Sequence, residues 1–188
     1  MSARVLLLST GLARGGAETQ VVQLALGLRK RGWDAAVASL AAPTAFVQQL
    51  EAGGVAVHSV GMEPGRWSPA GGVRLIALLR RLRPSILHAH MFHANLAARL
   101  ARLVSPLPVV ISTLHSVAES GRRSRDVGAR DLAYRVTDPL ADAVVAVAES
   151  VAARHAGAHA VSRAKLRVIP NGVDTEVYRP VPEARERL

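Results

Sequence analysis

Short runs of consecutive apolar residues alternate along this chain with longer stretches whose apolar positions recur every three or four residues. The first run, residues 5–9, shows no alternation of apolar and polar positions and predicts a strand buried on both faces. A glycine-containing turn over residues 10–16 follows. Val21, Leu24, Ala25 and Leu28 then stand at i, i+3, i+4 and i+7, one stripe of a helix that Gly32 stops. Further strands are predicted at residues 35–40, 55–60, 85–88, 109–112, 143–148 and 166–169. Helices are predicted at 44–52, about 70–82, about 91–103, from about 127 to 138, and up to about 155. Residues 61–69 read as loop from their turn residues, and Pro84, Pro106, Pro108 and Pro139 punctuate the rest. About seven strands separated by helical crossovers, with no internal repeat, predict an α/β fold. Its expected form is a Rossmann-like, doubly wound, mostly parallel sheet with helices on both faces.

In such sheets ligands gather beyond the carboxyl ends of the strands. The loops that should carry function are therefore residues 11–16, 88–93, 115–125 and Asn171-Gly172. Gly15 and Gly16 allow close approach of the backbone, and the amides opening the next helix favour a phosphate; an ordinary strand-to-helix turn is the plain alternative. The turn is not a P-loop, since no Lys-Ser/Thr follows the glycines, and it does not have the GxGxxG spacing of the dinucleotide fingerprint. Glu18, in the first helical turn, complements the dipole. His88, His90 and His93 could be taken as a metal cluster, because strand residues two apart share a face. No cysteine or carboxylate at a neighbouring strand end completes it, so no metal is expected and His88 is read as structural. Asn171 belongs to an Asn-Gly turn.

Composition narrows the classes. The 188 residues suffice for one domain with a real core and are borderline for two. Aromatics make up only 3%, so Ala, Val, Leu and Ile must build the core, and base-stacking recognition of nucleic acid is disfavoured. There is no cysteine, and no apolar run approaches the ~20 residues that span a bilayer. The opening run is too short for a secretory signal, which predicts a cytoplasmic protein. The net charge is +10. Arg29, Lys30 and Arg31, and likewise Arg80, Arg81 and Arg83, fall at helix ends, where they offset the dipole. Arg122, Arg123 and Arg125 lie instead in the loop after the fifth strand. There they are solvated, or they hold an acceptor phosphate or an anionic lipid headgroup, which would allow peripheral contact with the inner face of a membrane.

Four blocks, in order, resemble the family-4 (GT4) retaining glycosyltransferases: Gly15-Gly16-Ala17-Glu18, the run from Leu87 to Asn95, Thr113-Leu114-His115, and the run from Val168 to Asp174. The resemblance covers nearly the whole chain. It implies a GT-B enzyme whose two Rossmann-like lobes face each other across a cleft, the first holding the acceptor and the second the nucleotide sugar. By this reading residues 1–172 are the amino-terminal lobe, residues 173–188 lead toward the second lobe, and the paired glutamates of the family lie beyond this chain. The resemblance implies that His115 contacts the donor sugar near the reacting centre. It also implies that the amides at Gly15 and Gly16 approach the donor diphosphate, that His93 and Asn95 line the acceptor pocket, and that Asn171 faces the cleft. The implied partners are a nucleotide-sugar donor and a hydroxyl acceptor, with no cofactor and no bound metal. Ala148 departs from the pattern, since many relatives carry Ser there; Ser150 is the candidate substitute. The rival readings are a nucleotide-sugar epimerase lobe, a non-catalytic Rossmann-like binding module and, weakest, a dehydrogenase lobe.

Overall fold

The computed structural model describes residues 3–63, 66–117 and 124–175. The strands are β1 (Arg4–Ser9), β2 (Asp34–Ala41), β3 (Ala56–Met62), β4 (Ile86–His90), β5 (Val109–Leu114), β6 (Ala143–Ala146) and β7 (Leu166–Val168). The helices are α1 (Gly16–Lys30), α2 (Val47–Ala52), α3 (Pro69–Leu82), α4 (Phe92–Ala101), α5 (Ser124–Thr137) and α6 (Glu149–Gly157), with a short 3-10 turn at Asp138–Leu140. All strands pair in parallel in one sheet of order β3-β2-β1-β4-β5-β6-β7. The expected doubly wound α/β architecture is the observed one.

Alternation along the strands sorts the core into two layers. Val5 and Leu7 pack with Val21, Val22 and Ala25 of α1 and Leu50 of α2. Leu6, Leu8, Leu87 and Val110 pack on the opposite side with α3 and α4, and Leu114, Val144 and Ala146 pack with Tyr134 of α5 and Val151 of α6. On the α1 side of β4 to β6, Ile86, His88, Val109, Ile111, Ala143 and Val145 are only partly buried, while their alternates are enclosed.

Several boundaries differ from the pattern in the sequence. The strand predicted at 85–88 continues to His90, because Leu7 pairs with His88 and Ser9 with His90. The fifth strand runs on to Leu114 and the sixth stops at Ala146, since Ala148 turns to become the residue capping α6. The second helix starts at Val47 rather than residue 44, because the amides of Thr44 and Ala45 bond back to Leu12 O and Phe46 takes φ 65°.

Candidate functional site

The chain runs outward from β1 to β3, then returns to place β4 on the other side of β1. Ligand crevices form where the strand order reverses in this way. Here that point lies beyond Ser9 of β1 and His90 of β4, which are register partners.

On the β1 side, Ser9 Oγ donates to Gly11 O. Thr10 Oγ1 accepts from the Ala94 amide at 3.2 Å, which ties the turn to the start of α4. Gly15 is extended at φ −161° and caps α1 without any side-chain hydrogen bond to the first-turn amides. Those amides and the positive end of a 15-residue helix form an anion-accepting end. The Glu18 carboxylate folds back over Gly15, where an added Cβ would collide with its Oε2. Thr19 completes the turn by donating its hydroxyl to Gly15 O at 2.8 Å.

On the β4 and β5 side, histidines occupy the strand ends on the α1 face. His88 Nε2 is 2.7 Å from Thr113 Oγ1, and His90 Nδ1 is 3.1 Å from His115 Nε2. Ring centroids are 4.3 Å apart for His88 and His90, and 5.4 Å apart for His90 and His115. Burial holds His115 down at about 4, and burial with the neighbouring His115 does the same for His88. His90 is pushed well below 6.5 by burial first and then by its two neighbours. All three are therefore neutral at pH 7. The imidazoles engage Thr113 and one another, and among the described residues no group of three or more His, Cys, Asp or Glu is placed to hold a metal ion.

A polar scaffold on the α4 side supports this row. Asn95, expected to line a pocket, is instead 0% exposed. Its Nδ2 donates to Thr113 O at 3.0 Å and to Tyr134 Oη at 3.1 Å, so it fixes the strand end just before His115. Arg99, also fully buried, donates to Ser112 Oγ, Tyr134 O and Thr137 Oγ1 and lies 4.9 Å over the Tyr134 ring. His155 Nε2 donates to Ser116 O at 3.2 Å and steadies the residue after His115.

The expected site residues fall in three places. Gly15 lines an open groove between α1 and α2 that also has Gly172 to Asp174 on its rim, and Gln20 Nε2 donates to Gly172 O at 2.9 Å. The turn after β7 that holds Asn171 thus comes back beside the start of α1. His115 does not line that groove but stands with His90, two strands from β1 at the same sheet edge. His93 borders a small hollow with Thr10, Met62, Glu63 and Trp67. Arg122 and Arg123 lie outside the described residues, and Arg125 enters the first turn of α5. Ser150 makes no capping bond in place of Ala148, so α6 starts uncapped. Sequence reasoning weighed His90 only as a metal ligand and missed its contact with His115, and it passed over Arg130, whose guanidinium lies 4.5 Å over the Phe92 ring. Only a strand reading through His90 would have shown that contact; nothing in the local pattern marks Arg130.

A family model described as Glycosyltransferase Family 4 matches residues 14–177. No curated protein matches the chain. Among solved structures, it is similar to Anabaena HepE in complex with UDP-glucose, with 22% identity, a TM-score of 0.74, and coverage of 96% of this chain and 47% of that one. Sucrose-phosphate synthase from Thermosynechococcus elongatus gives 14%, 0.72, 98% and 52%. UDP-GlcNAc 2-epimerase from Methanocaldococcus jannaschii gives 14%, 0.57, 89% and 45%. The chain spans about half the length of each of these structures.

Proposed function

The chain belongs to glycosyltransferase family 4, and we propose on that basis that it forms the amino-terminal, acceptor-side lobe of a retaining enzyme using a nucleotide-sugar donor. The observation that carries this reading is the pairing of features at one sheet edge. Uncapped helix amides at Gly16 and a neutral imidazole at His115 lie on the same side of the sheet, beyond the reversal between β1 and β4. Departure of a nucleoside diphosphate builds negative charge, and pre-oriented amides lower the barrier by meeting it. Glu18 swings off Gly15 as the diphosphate arrives. A neutral His115 hydrogen-bonds the donor sugar without adding a charge that water would have to solvate. His93 and Arg130 face the acceptor, a hydroxyl of a glycan, a lipid-linked sugar or a small molecule. Arg122 and Arg123 are the proposed contacts to an anionic group on that acceptor or to the inner face of a membrane. No described helix is long and apolar enough to cross a membrane.

HepE has been solved with UDP, UDP-glucose, and UDP and glucose, which makes a UDP-hexose the first donor to test. The epimerase reading is weaker, since the epimerase above overlays at 0.57 against 0.72 and 0.74 for HepE and the synthase. The deciding experiment is sugar transfer by the complete two-lobed enzyme, with the anomeric configuration of the product read by NMR. Retained configuration is expected, and His115→Ala should lower kcat by ~10²-fold by loss of an oriented contact at the reacting centre. Inverted product, or full activity without His115, would refute the assignment.

A further inference from the structure

Of the two tryptophans in the chain, Trp67 is 48% exposed and stands between β3 and α3, at the carboxyl edge of the sheet, whereas Trp33 precedes β2 at the amino edge. An apolar residue in the position of Trp67, one before a helix cap, ordinarily packs on the fourth residue of the helix. Ser68 caps α3 by accepting from the Gly71 amide at 3.1 Å, which makes that fourth residue Gly72, a position with no side chain to pack on. The space around it is open, since a Cβ added at Gly72 would meet nothing within 4 Å. The indole therefore does not staple its helix.

What Trp67 borders instead is the hollow it shares with Thr10, Met62, Glu63, Arg66 and His93, where the chain leaves β1 and β3 and enters α4. The hollow encloses only about 20 Å³, room for about one water, so a ligand lies across it rather than inside it. Glu63 Oε2 and Arg66 Nη1 pair at 3.0 Å with their side chains 74% and 79% exposed. An ion pair so open to water adds little stability, but its outward lone pairs and N–H groups stay available to hydroxyls. Burial first, and then the Arg130 guanidinium, hold His93 below 6.5, so its imidazole is neutral at pH 7. The hollow thus carries no net charge in a chain whose net charge is +10. An anion gains nothing by choosing it over the basic surface elsewhere, and an alkyl chain leaves its polar rim without partners. A ring with one apolar C–H face and an edge of hydroxyls satisfies both the indole and the rim.

We propose that Trp67 is the platform for the acceptor's sugar ring, which lays its C–H face on the indole and turns its hydroxyls to Glu63, Arg66 and His93. Polarised C–H bonds meet the negative face of the aromatic ring there. The inference rests on reading His93 as facing the acceptor, and it narrows that acceptor from any hydroxyl compound to one that presents an uncharged sugar.

The test is saturation-transfer NMR on the 188-residue chain with the methyl glycosides of glucose, galactose and mannose, each at millimolar concentration. At least one should bind saturably, with transfer concentrated on the C–H protons of one ring face. In Trp33→Phe, where Trp67 is the sole tryptophan, the same sugar should shift the emission. Trp67→Ala should weaken binding by ~10-fold or more, and Trp67→Phe should recover part of it. The melting temperature of Trp67→Ala should match that of the wild type, because the indole is exposed and staples nothing. The proposal is overturned if none of the three sugars binds, if Trp67→Ala binds as well as the wild type, or if hexanol or inorganic phosphate shifts the Trp67 emission equally. A large fall in melting temperature for Trp67→Ala also overturns it, since the indole would then be held by the protein itself. In the complete enzyme, Trp67→Ala should raise the acceptor KM and leave the donor KM unchanged. Sugar binding without transfer by the complete enzyme would remove the functional reading and keep the platform; transfer with an unchanged acceptor KM in Trp67→Ala would do the reverse.

Discussion

Three neutral histidines in one enclosed row give the chain a defined response to acid. Their folded-state values lie below the ordinary 6.5, with His88 and His115 at about 4. The unfolded chain therefore binds more protons than the folded one as pH falls below 6.5. Stability is complete above that value and declines toward 4, where the folded rings themselves take up protons. A loss of at least ~1 kcal/mol, or ~2–4 °C in Tm, is expected between pH 7 and pH 5 by thermal melting. His115→Gln should flatten that slope; a melting temperature independent of pH over this window would contradict the neutral row. How much of the site was legible in the sequence follows from the same residues. Gly15, Gly16 and His115 were marked by position, because turns after strands can be found from apolar runs and glycines. Asn95 was misplaced toward the pocket, since its helical position does not tell which face meets Tyr134 and which meets solvent. His90 was noticed only as a possible metal ligand, and its place beside His115 was missed, because a strand that ends in imidazoles looks like a loop until its pairing with β1 is seen.

Two elements carry local features that the sequence pattern brought out unevenly. The alternation of strands and helices, and most of their ends, followed from glycine and proline punctuation. Two of the helix starts that differ from the pattern, those of α2 and α4, directly follow a non-glycine residue with positive φ, Phe46 and Met91. Met91 links β4 to α4 at φ 70° and ψ 161°, a region nearly reserved for glycine. Strain of ~1–3 kcal/mol is expected there. Met91→Gly should consequently leave the melting temperature unchanged or raise it, despite glycine's ~0.5–1 kcal/mol entropic cost. A clear drop would show that the side chain matters more than the backbone. The capping residue of α6, Ala148, offers no side-chain acceptor. Ala148→Ser should add ~1 kcal/mol and raise Tm by ~2–4 °C. No gain would mean that the first-turn amides of α6 are already well served by water.

At the scale of the whole molecule, the chain supplies one wall of the proposed cleft. The rest of the leaving-group stabilisation, and the exclusion of water, are assigned to the partner lobe. The isolated 188 residues are thus expected to show no measurable sugar transfer, and joining them to a cognate second lobe should restore it. Turnover by this chain alone at the rate of a complete enzyme would overturn the division of labour. The global fold was the most legible level of all, because a parallel sheet follows from crossover connections rather than from any single side chain, whereas the strand order and the reversal between β1 and β4 are seen only in the structure. What topology did not reveal is the path beyond β7. Gly172 is clasped by Gln20 at the start of α1. The turn after β7 is thereby tied to α1 at the end whose amides are proposed to receive the diphosphate, so a shift of one is passed to the other.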